Sequence, residues 1–408
     1  MTNTDVTLRR ALNLPLLVFY GVGVTIGAGI FALIGEVVKV AGDAAPIAFL
    51  LAGLIAGATA ISYARLSSVY PRAGGEAVFV NIALGSGFAR LVGYGVTLTA
   101  IISSAVITLS FSGYLGDLIA VPGPILVIGI LIILATVASL GVRESVMFAA
   151  VITLLEAGTL IVIIFFGSTF LTEPAVYAKA FTLPDNMASA SIVLSAAVVS
   201  FFAYIGFEDI VNMAEETVNP KRNMPRAIVI TLIISLTLNT LISLIAIGLP
   251  DREALTTSNA PLATLYESVT GYSGKPISAM ASIAMINGIL VQIVMASRVI
   301  YGMTREGLAP RFLGQLSESR QTPIRAILMV TLLIAALALA VPLLKLAQAT
   351  SLVTLTVFVL VNLALWRIGN QANAHPTLHK WRNWGVFGAL LSGGLLLTEI
   401  ARLATTLW

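Results

Sequence analysis

Apolar residues run along this chain in stretches of about twenty, separated by short polar or basic connections. A hydrocarbon core about 30 Å thick needs roughly 20 residues of helix to cross it. The pattern predicts spans at 14–38, 44–66, 90–116, 123–141, 147–170, 190–213, 226–248, 276–302, 324–343, 346–366 and 384–405, eleven in all. The stretch at 346–366 is the least separated, since only Pro342 and Lys345 mark a tight turn before it. The expected class is an all-α polytopic membrane protein. Residues 1–13 are polar and carry Arg9 and Arg10. The apolar run that follows from Leu14 lacks a cleavage-like end and precedes many others, so it reads as a first span and not as a removable signal peptide.

Composition agrees with this picture. Of 408 residues, 58% are hydrophobic and 10% charged, against roughly 25% charged in soluble domains. The net charge of +4 raises the question of an anionic partner such as nucleic acid. The positions of the charges answer it. With the N-terminus inside and eleven spans, only Lys39, Lys179, Arg252, Lys275, Lys345 and Arg402 of the 23 basic residues fall outside. Such a bias is the positive-inside signature, so orientation accounts for the charge and no nucleic acid is implied. The same count places the C-terminus outside, in a plasma or bacterial inner membrane. There is no cysteine, which removes disulfides and thiolate metal sites.

The first span contains Gly21-Val22-Gly23-Val24-Thr25-Ile26-Gly27-Ala28-Gly29-Ile30-Phe31. Each glycine costs about 1 kcal/mol against alanine inside a helix, so four in nine residues need a reason. A dinucleotide loop is excluded, because the spacing is not GxGxxG and no strand–helix unit surrounds it. Gly23 and Gly27 form GxxxG, which suits a helix-packing face. An unwound segment lining a polar cavity is the other reading, since irregular backbone at that depth is tolerated only there or buried in protein. The sixth span is interrupted as well, at Tyr204-Ile205-Gly206-Phe207-Glu208-Asp209. Breaks in corresponding positions of two halves point to a binding site between inverted repeats. The expected organisation is a cytoplasmic tail at 1–13, one repeat at 14–189, a second at 190–370, and a loop with the last span at 371–408.

These residues resemble the amino acid–polyamine–organocation (APC) permeases over nearly the full chain. The resemblance is carried by Gly23 to Phe31, by Tyr70-Pro71-Arg72-Ala73-Gly74-Gly75-Glu76, and by Phe202 to Glu208. It continues through Ala214 to Pro225 and through Ser297-Arg298 to Arg305-Glu306-Gly307-Leu308-Ala309-Pro310. It implies a five-plus-five inverted-repeat (LeuT-like) fold, with substrate between spans 1, 3, 6, 8 and 10. By similarity, the amides of Thr25, Ile26, Gly27, Ala28 and Gly29 receive an amino-acid carboxylate. The backbone around Phe202, Ala203, Tyr204 and Ile205 receives the α-ammonium, and Phe207 closes over the substrate from outside. Many relatives have a twelfth span, so a dimer contact made there by spans 11 and 12 has no counterpart among the eleven predicted here; the oligomeric state is left open.

Glu156 lies near the middle of the fifth span, where a carboxyl is expensive and by default functional. Some sodium-independent relatives carry a lysine at what looks like this position, and here the sign is inverted. Glu156 is the leading candidate for proton coupling, with Glu208 second and Asp209 a rival. A protonated helix–helix donor, or a sodium ligand, are the other readings of Glu156. Ser103, Ser104, Thr108, Asn287, Gln292 and Thr354 are the polar candidates for the side-chain pocket; few fixed charges there favour neutral amino acids over strongly cationic polyamines, while Asp209 keeps a cationic substrate open. Arg65 and Arg72 read as inside anchors more readily than as gating partners of Glu215 or Glu216. Trp366, Trp381, Trp384 and Trp408 fall at predicted interfaces, and a short surface helix is expected around Ala260–Thr270. His375 and His379 stand at i, i+4 beside Pro376, which disfavours a helix there, and lack a third ligand, so no metal is expected. With no cysteine and both histidines off the spans, the usual nucleophile–base pairs of an enzyme are absent. Paired breaks suit an occluded site better than a continuous pore. The function expected is therefore amino-acid transport by proton-coupled symport with alternating access, with exchange or sodium coupling as alternatives and no cofactor beyond the coupling ion.

Overall fold

The computed structural model describes residues 12–27, 29–71, 74–141, 146–182, 185–305, 310–317, 320 and 322–406. Ala28, Arg72, Ala73, Trp408 and the Glu306–Ala309 part of the last motif lie outside these residues. The helices in order are α1 (Leu14–Ile26), α2 (Gly29–Ala41), α3 (Ala45–Val69), α4 (Gly75–Leu84), α5 (Ser86–Leu118) and α6 (Gly123–Ser139). Next come α7 (Val146–Phe166), α8 (Pro174–Ala180), α9 (Met187–Phe201), α10 (Pro220–Gly248) and α11 (Glu253–Thr257). The last are α12 (Pro261–Thr270), α13 (Lys275–Arg305), α14 (Ile324–Ala340), α15 (Leu343–Gly369) and α16 (Pro376–Thr406). Among the described residues the only extended pairing is one parallel bridge between Leu12 and Thr217.

Each apolar stretch predicted from the sequence falls on helix among the described residues, apart from the interruptions in the first and sixth. Among those residues eight stretches are long and apolar enough to cross a membrane, and one of them, Leu14–Val69, contains both of the first two predicted spans. The chain is an all-α polytopic membrane protein. Helix starts follow local chemistry: the Asn13 side chain accepts from the Leu16 amide at 3.1 Å, with Pro15 in the first turn. Asn186 and Ser189 form a reciprocal capping box at the start of α9. Such caps satisfy amides that a helix leaves without partners.

Several expectations are corrected. Segment 70–89 holds a separate helix, α4, set off from α5 by Gly85 at φ 90°; its ten residues are too few to register as a span. Helix α12 exists but packs inward, with Leu262, Ala263 and Leu265 buried. Pro376 does not prevent a helix: it occupies the first turn of α16, where its missing amide costs nothing. His375 then caps that turn, its Nδ1 accepting from the Thr377 amide at 3.3 Å.

Helix α3 is the hub of one side, contacting α9, α10, α15 and α16. Its Ala48, Ala52, Ala56 and Ala60 are all buried, four residues apart on one face, so neighbouring backbones can approach closely. Polar groups fasten α15 and α16 to it. Ser62 Oγ donates to Asn362 Oδ1 at 2.6 Å, Asn362 Nδ2 donates to Thr59 Oγ1 at 2.8 Å, and Thr59 meets Ser392 Oγ at 3.1 Å. Gly385 and Gly388 of α16 lie directly against Asn362, leaving no room for a methyl. Interhelical hydrogen bonds in membranes average about 0.6 and reach about 1.7 kcal/mol. Asn362→Ala removes two bonds and opens space, so we expect a loss of about 1–3 kcal/mol. It should appear as a lower thermal midpoint in detergent, and an unchanged midpoint would refute the fastening role.

Candidate functional site

The two interrupted spans break side by side. Helix α1 stays regular through Ile26, and the Gly27 amide still donates to Gly23 O at 2.9 Å. The amides of Thr25, Ile26 and Gly27 are therefore inside the helical ladder, contrary to their expected role as free donors. The next helix, α2, begins at Gly29, and the first turn of a helix leaves its amides without intrahelical partners. In the other span, α9 ends at Phe201, a 3₁₀ turn covers Phe202–Tyr204, and Ile205 is extended (φ −67°, ψ 136°). Gly206 follows at φ 121°, then a second 3₁₀ segment, Phe207–Met213. A methyl at Gly29 would overlap the Cα of Ala203, and one at Gly206 would come within 2.8 Å of Val24 O. The two glycines let the breaks touch.

Side chains stitch the second break. The Gly206 amide donates to Glu208 Oε2 at 2.8 Å, so Glu208 caps a donor that the broken helix leaves over. Asn239 Nδ2 donates to Ala203 O at 3.3 Å, occupying one of the carbonyls expected to meet an ammonium. Tyr204 hydroxyl donates to Phe49 O at 2.9 Å. Thr25 Oγ1, Ser200 Oγ, Glu156 Oε2 and Gln292 Oε1 are buried without a hydrogen-bond partner in the described structure. Buried polar atoms in this state call for a ligand, ion or water.

Glu156 is 4% exposed and reaches the first break directly. A methyl at Gly27 would stand 3.1 Å from Glu156 Oε1, and Gly23 lies under Thr153, whose hydroxyl donates to Phe19 O at 3.0 Å. Gly23 and Gly27 are thus a packing face for α7, while the interruption itself falls after them. Glu156, Asp209, Asn287 and Gln292 line a cavity of about 70 Å³ beside this contact. A second, of about 30 Å³, is lined by Tyr63, Glu76, Ile205, Glu208, Asp209, Gln292 and Thr354. Asp209 and Gln292 border both.

A vestibule of about 460 Å³ between α1, α4, α5 and α13 also reaches Asp209 and Glu76. On the opposite side a vestibule of about 840 Å³ extends in to Phe31 and shares no lining residue with the two central cavities. Tyr114 closes its floor, donating to Phe31 O at 2.8 Å and accepting from the Leu262 amide at 3.1 Å. The central cavities therefore share lining residues with the vestibule on the α4 side and none with the other.

Not every expected residue joins the site. Phe207 is fully buried, edge-on to Tyr63 and Phe358 at 5.6 and 5.4 Å between centroids. That cluster includes Phe79 of α4 against Tyr63. Phe207, expected to close over a substrate, lines neither central cavity. Ser103, Ser104 and Thr108 spend their hydroxyls on carbonyls of their own helix. Arg65 lies over the Trp381 ring at 4.2 Å, an anchoring contact. Glu76 is the residue sequence reasoning missed. It stands in the Tyr70–Glu76 motif and is 5% exposed, but a loop after span two gave no reason to bury it.

The chain matches the amino acid permease family over residues 12–401, and it belongs to that family of membrane transporters. It is 30% identical to a vacuolar cationic amino acid transporter 4 of Arabidopsis thaliana, over 87% of this chain and 62% of that one. It is 29% identical to a branched-chain amino acid permease of Lactococcus lactis, over 85% and 79% of the two. A methylthioribose transporter of Bacillus subtilis is 29% identical, over 88% and 81%. The chain spans about three fifths of the length of the plant transporters it matches.

The contact between breaks is testable. Gly206→Ala forces a side chain into a left-handed conformation costing about 1–3 kcal/mol, against Val24 O. Gly29→Ala pushes Ala203 away. Both variants should lose ligand-induced thermal stabilisation before they lose helical circular dichroism; full ligand response in both would refute the contact.

Proposed function

We propose that the protein is a secondary amino-acid transporter working by alternating access, with proton-coupled symport as its mode. The observation that carries this reading is the contact of two mid-span breaks, Gly29 against Ala203 and Gly206 against Val24, beside cavities holding buried carboxyl groups. Facing helix breaks offer opposite partial charges at one point, which suits the carboxylate and ammonium of an α-amino acid. The carboxylate would meet the first turn of α2, around Gly29. The ammonium would meet the Phe202–Ile205 turn and Asp209. Spans 1–5 and 6–10 would form the inverted repeats, with the N-terminus inside and the C-terminus outside. On that orientation the arrangement is inward-facing, with Tyr114 holding the outer side shut.

Glu156 is the proposed proton carrier. Its Oε2 has no partner, it adjoins the first break, and its cavity shares Asp209 and Gln292 with the neighbouring one. Protonation would change the charge beside Gly27, the hinge at which α1 gives way to α2. Glu208, already engaged by the Gly206 amide, serves the backbone instead. With Glu76 added beside Asp209, the centre is more acidic than the sequence suggested, which keeps cationic amino acids beside neutral ones as cargo.

In proteoliposomes, we expect an inward proton gradient to drive accumulation of selected amino acids, and Glu156→Gln to abolish that accumulation while leaving substrate counterflow. Gradient-driven uptake that survives in the variant would remove Glu156 from coupling. Uptake that follows sodium, whatever the proton gradient, would replace the proton with a cation at the same site.

A further inference from the structure

Away from the central cavities, the lipid-facing surface carries a concave groove of about 770 Å³ between α3, α10 and α16. Its walls include Leu54, Ile61, Ile233, Phe387 and Leu390, and its floor is opened by glycine: a Cβ at Gly57 or Gly394 would meet nothing within 4 Å. On α3 the lining runs from Leu51 to Ile61, and on α16 from Trp384 to Thr398. At 1.5 Å per residue these are about 15 and about 21 Å, half to two-thirds of a hydrocarbon core about 30 Å thick. That is the reach of a chain anchored in one leaflet.

The two ends differ in charge. Arg65 lies four residues beyond Ile61, Arg226 three before Val229, and Lys380 four before Trp384, and Ile61, Val229 and Trp384 all line the groove. Residues three or four apart share a helix face, so each of the three helices puts a cation one turn past the same end of the groove. Arg65 stacks on Trp381 of α16, which brings the α3 and α16 ends together, and Trp384 is fixed there by donating to Ala58 O at 2.8 Å. Arg226 and Lys380 are exposed, and none of the three cations forms an ion pair among the described residues. At the far end Arg402, four past Thr398, is neutralised by Glu399 at 2.6 Å.

We propose that this groove is a binding site for an anionic phospholipid, one acyl chain lying over Gly57 and Gly394 and the headgroup phosphate held between Arg226, Lys380 and Arg65. The basic end coincides with the side the Lys/Arg pattern places inside, so the lipid comes from the cytoplasmic leaflet. Its occupancy would brace α3 and α10, which flank the second break, without touching the cavities.

Native mass spectrometry of the full-length protein in mild detergent, titrated with phosphatidylglycerol or phosphatidylcholine, tests this. The wild type should hold phosphatidylglycerol in preference, and Arg226→Gln with Lys380→Gln should weaken that binding by roughly 30-fold, two near-surface charges' worth. Gly57→Phe and, separately, Gly394→Leu should fill the groove and displace the lipid with either headgroup. Equal retention of both lipids by the wild type would overturn the proposal, as would retention unaffected by the charge and groove variants. A wild-type dimer that Gly57→Phe dissolves would overturn it too, by assigning the groove to a second copy.

Discussion

A helix that stops inside a bilayer leaves backbone donors and acceptors where no water can reach them, each worth several kcal/mol. This protein stops two helices there and sets the broken ends against each other. Gly29 lies on Ala203 and Gly206 on Val24 O, contacts that any side chain would prevent. Glu208 takes the Gly206 amide and Asn239 takes the Ala203 carbonyl. Thr25, Ser200, Glu156 and Gln292 are among the buried side chains that keep an atom without a partner, and Glu156 and Gln292 line one cavity. Polar groups left without partners in a dry interior are an investment in a ligand, and the chemistry of the site follows from how few of them are left.

Helix α7 makes the first break sensitive to charge. Gly23 and Gly27 let Thr153 and Glu156 press onto α1 one turn apart, so the carboxyl sits where α1 ends. Asp209 and Gln292 then join that cavity to the one at the second break. A change in charge at Glu156 would be felt by both interrupted spans without a separate relay.

The outer helices give this centre a rigid frame. Alanines on one face of α3 and glycines on α16 allow close approach, and the Thr59–Asn362–Ser62 bonds fix its register. The same economy of side chains that packs α3 against its neighbours leaves Gly57 open toward lipid. The helix that packs against the second break therefore also carries the groove.

The fold class and the position of both breaks were legible in the sequence, because a hydrocarbon solvent demands long apolar helices and glycine is costly within them. Glu156 was legible for the same reason: a lone carboxyl in an apolar run stands out by its desolvation cost. Other features depended on which surfaces meet. Glu76 looked like a loop residue until α4 folded inward, and Phe207 looked like an outer lid until the Gly206 turn aimed it at Tyr63. Thr25 and Ile26 looked like free donors, yet the helical ladder runs through them and the next helix starts at Gly29. Solvent fixes what each segment must be, and a single chain displays that demand. Which atoms of a broken helix remain unpaired is settled by the neighbours that arrive from far along the chain, so only the tertiary structure decides it.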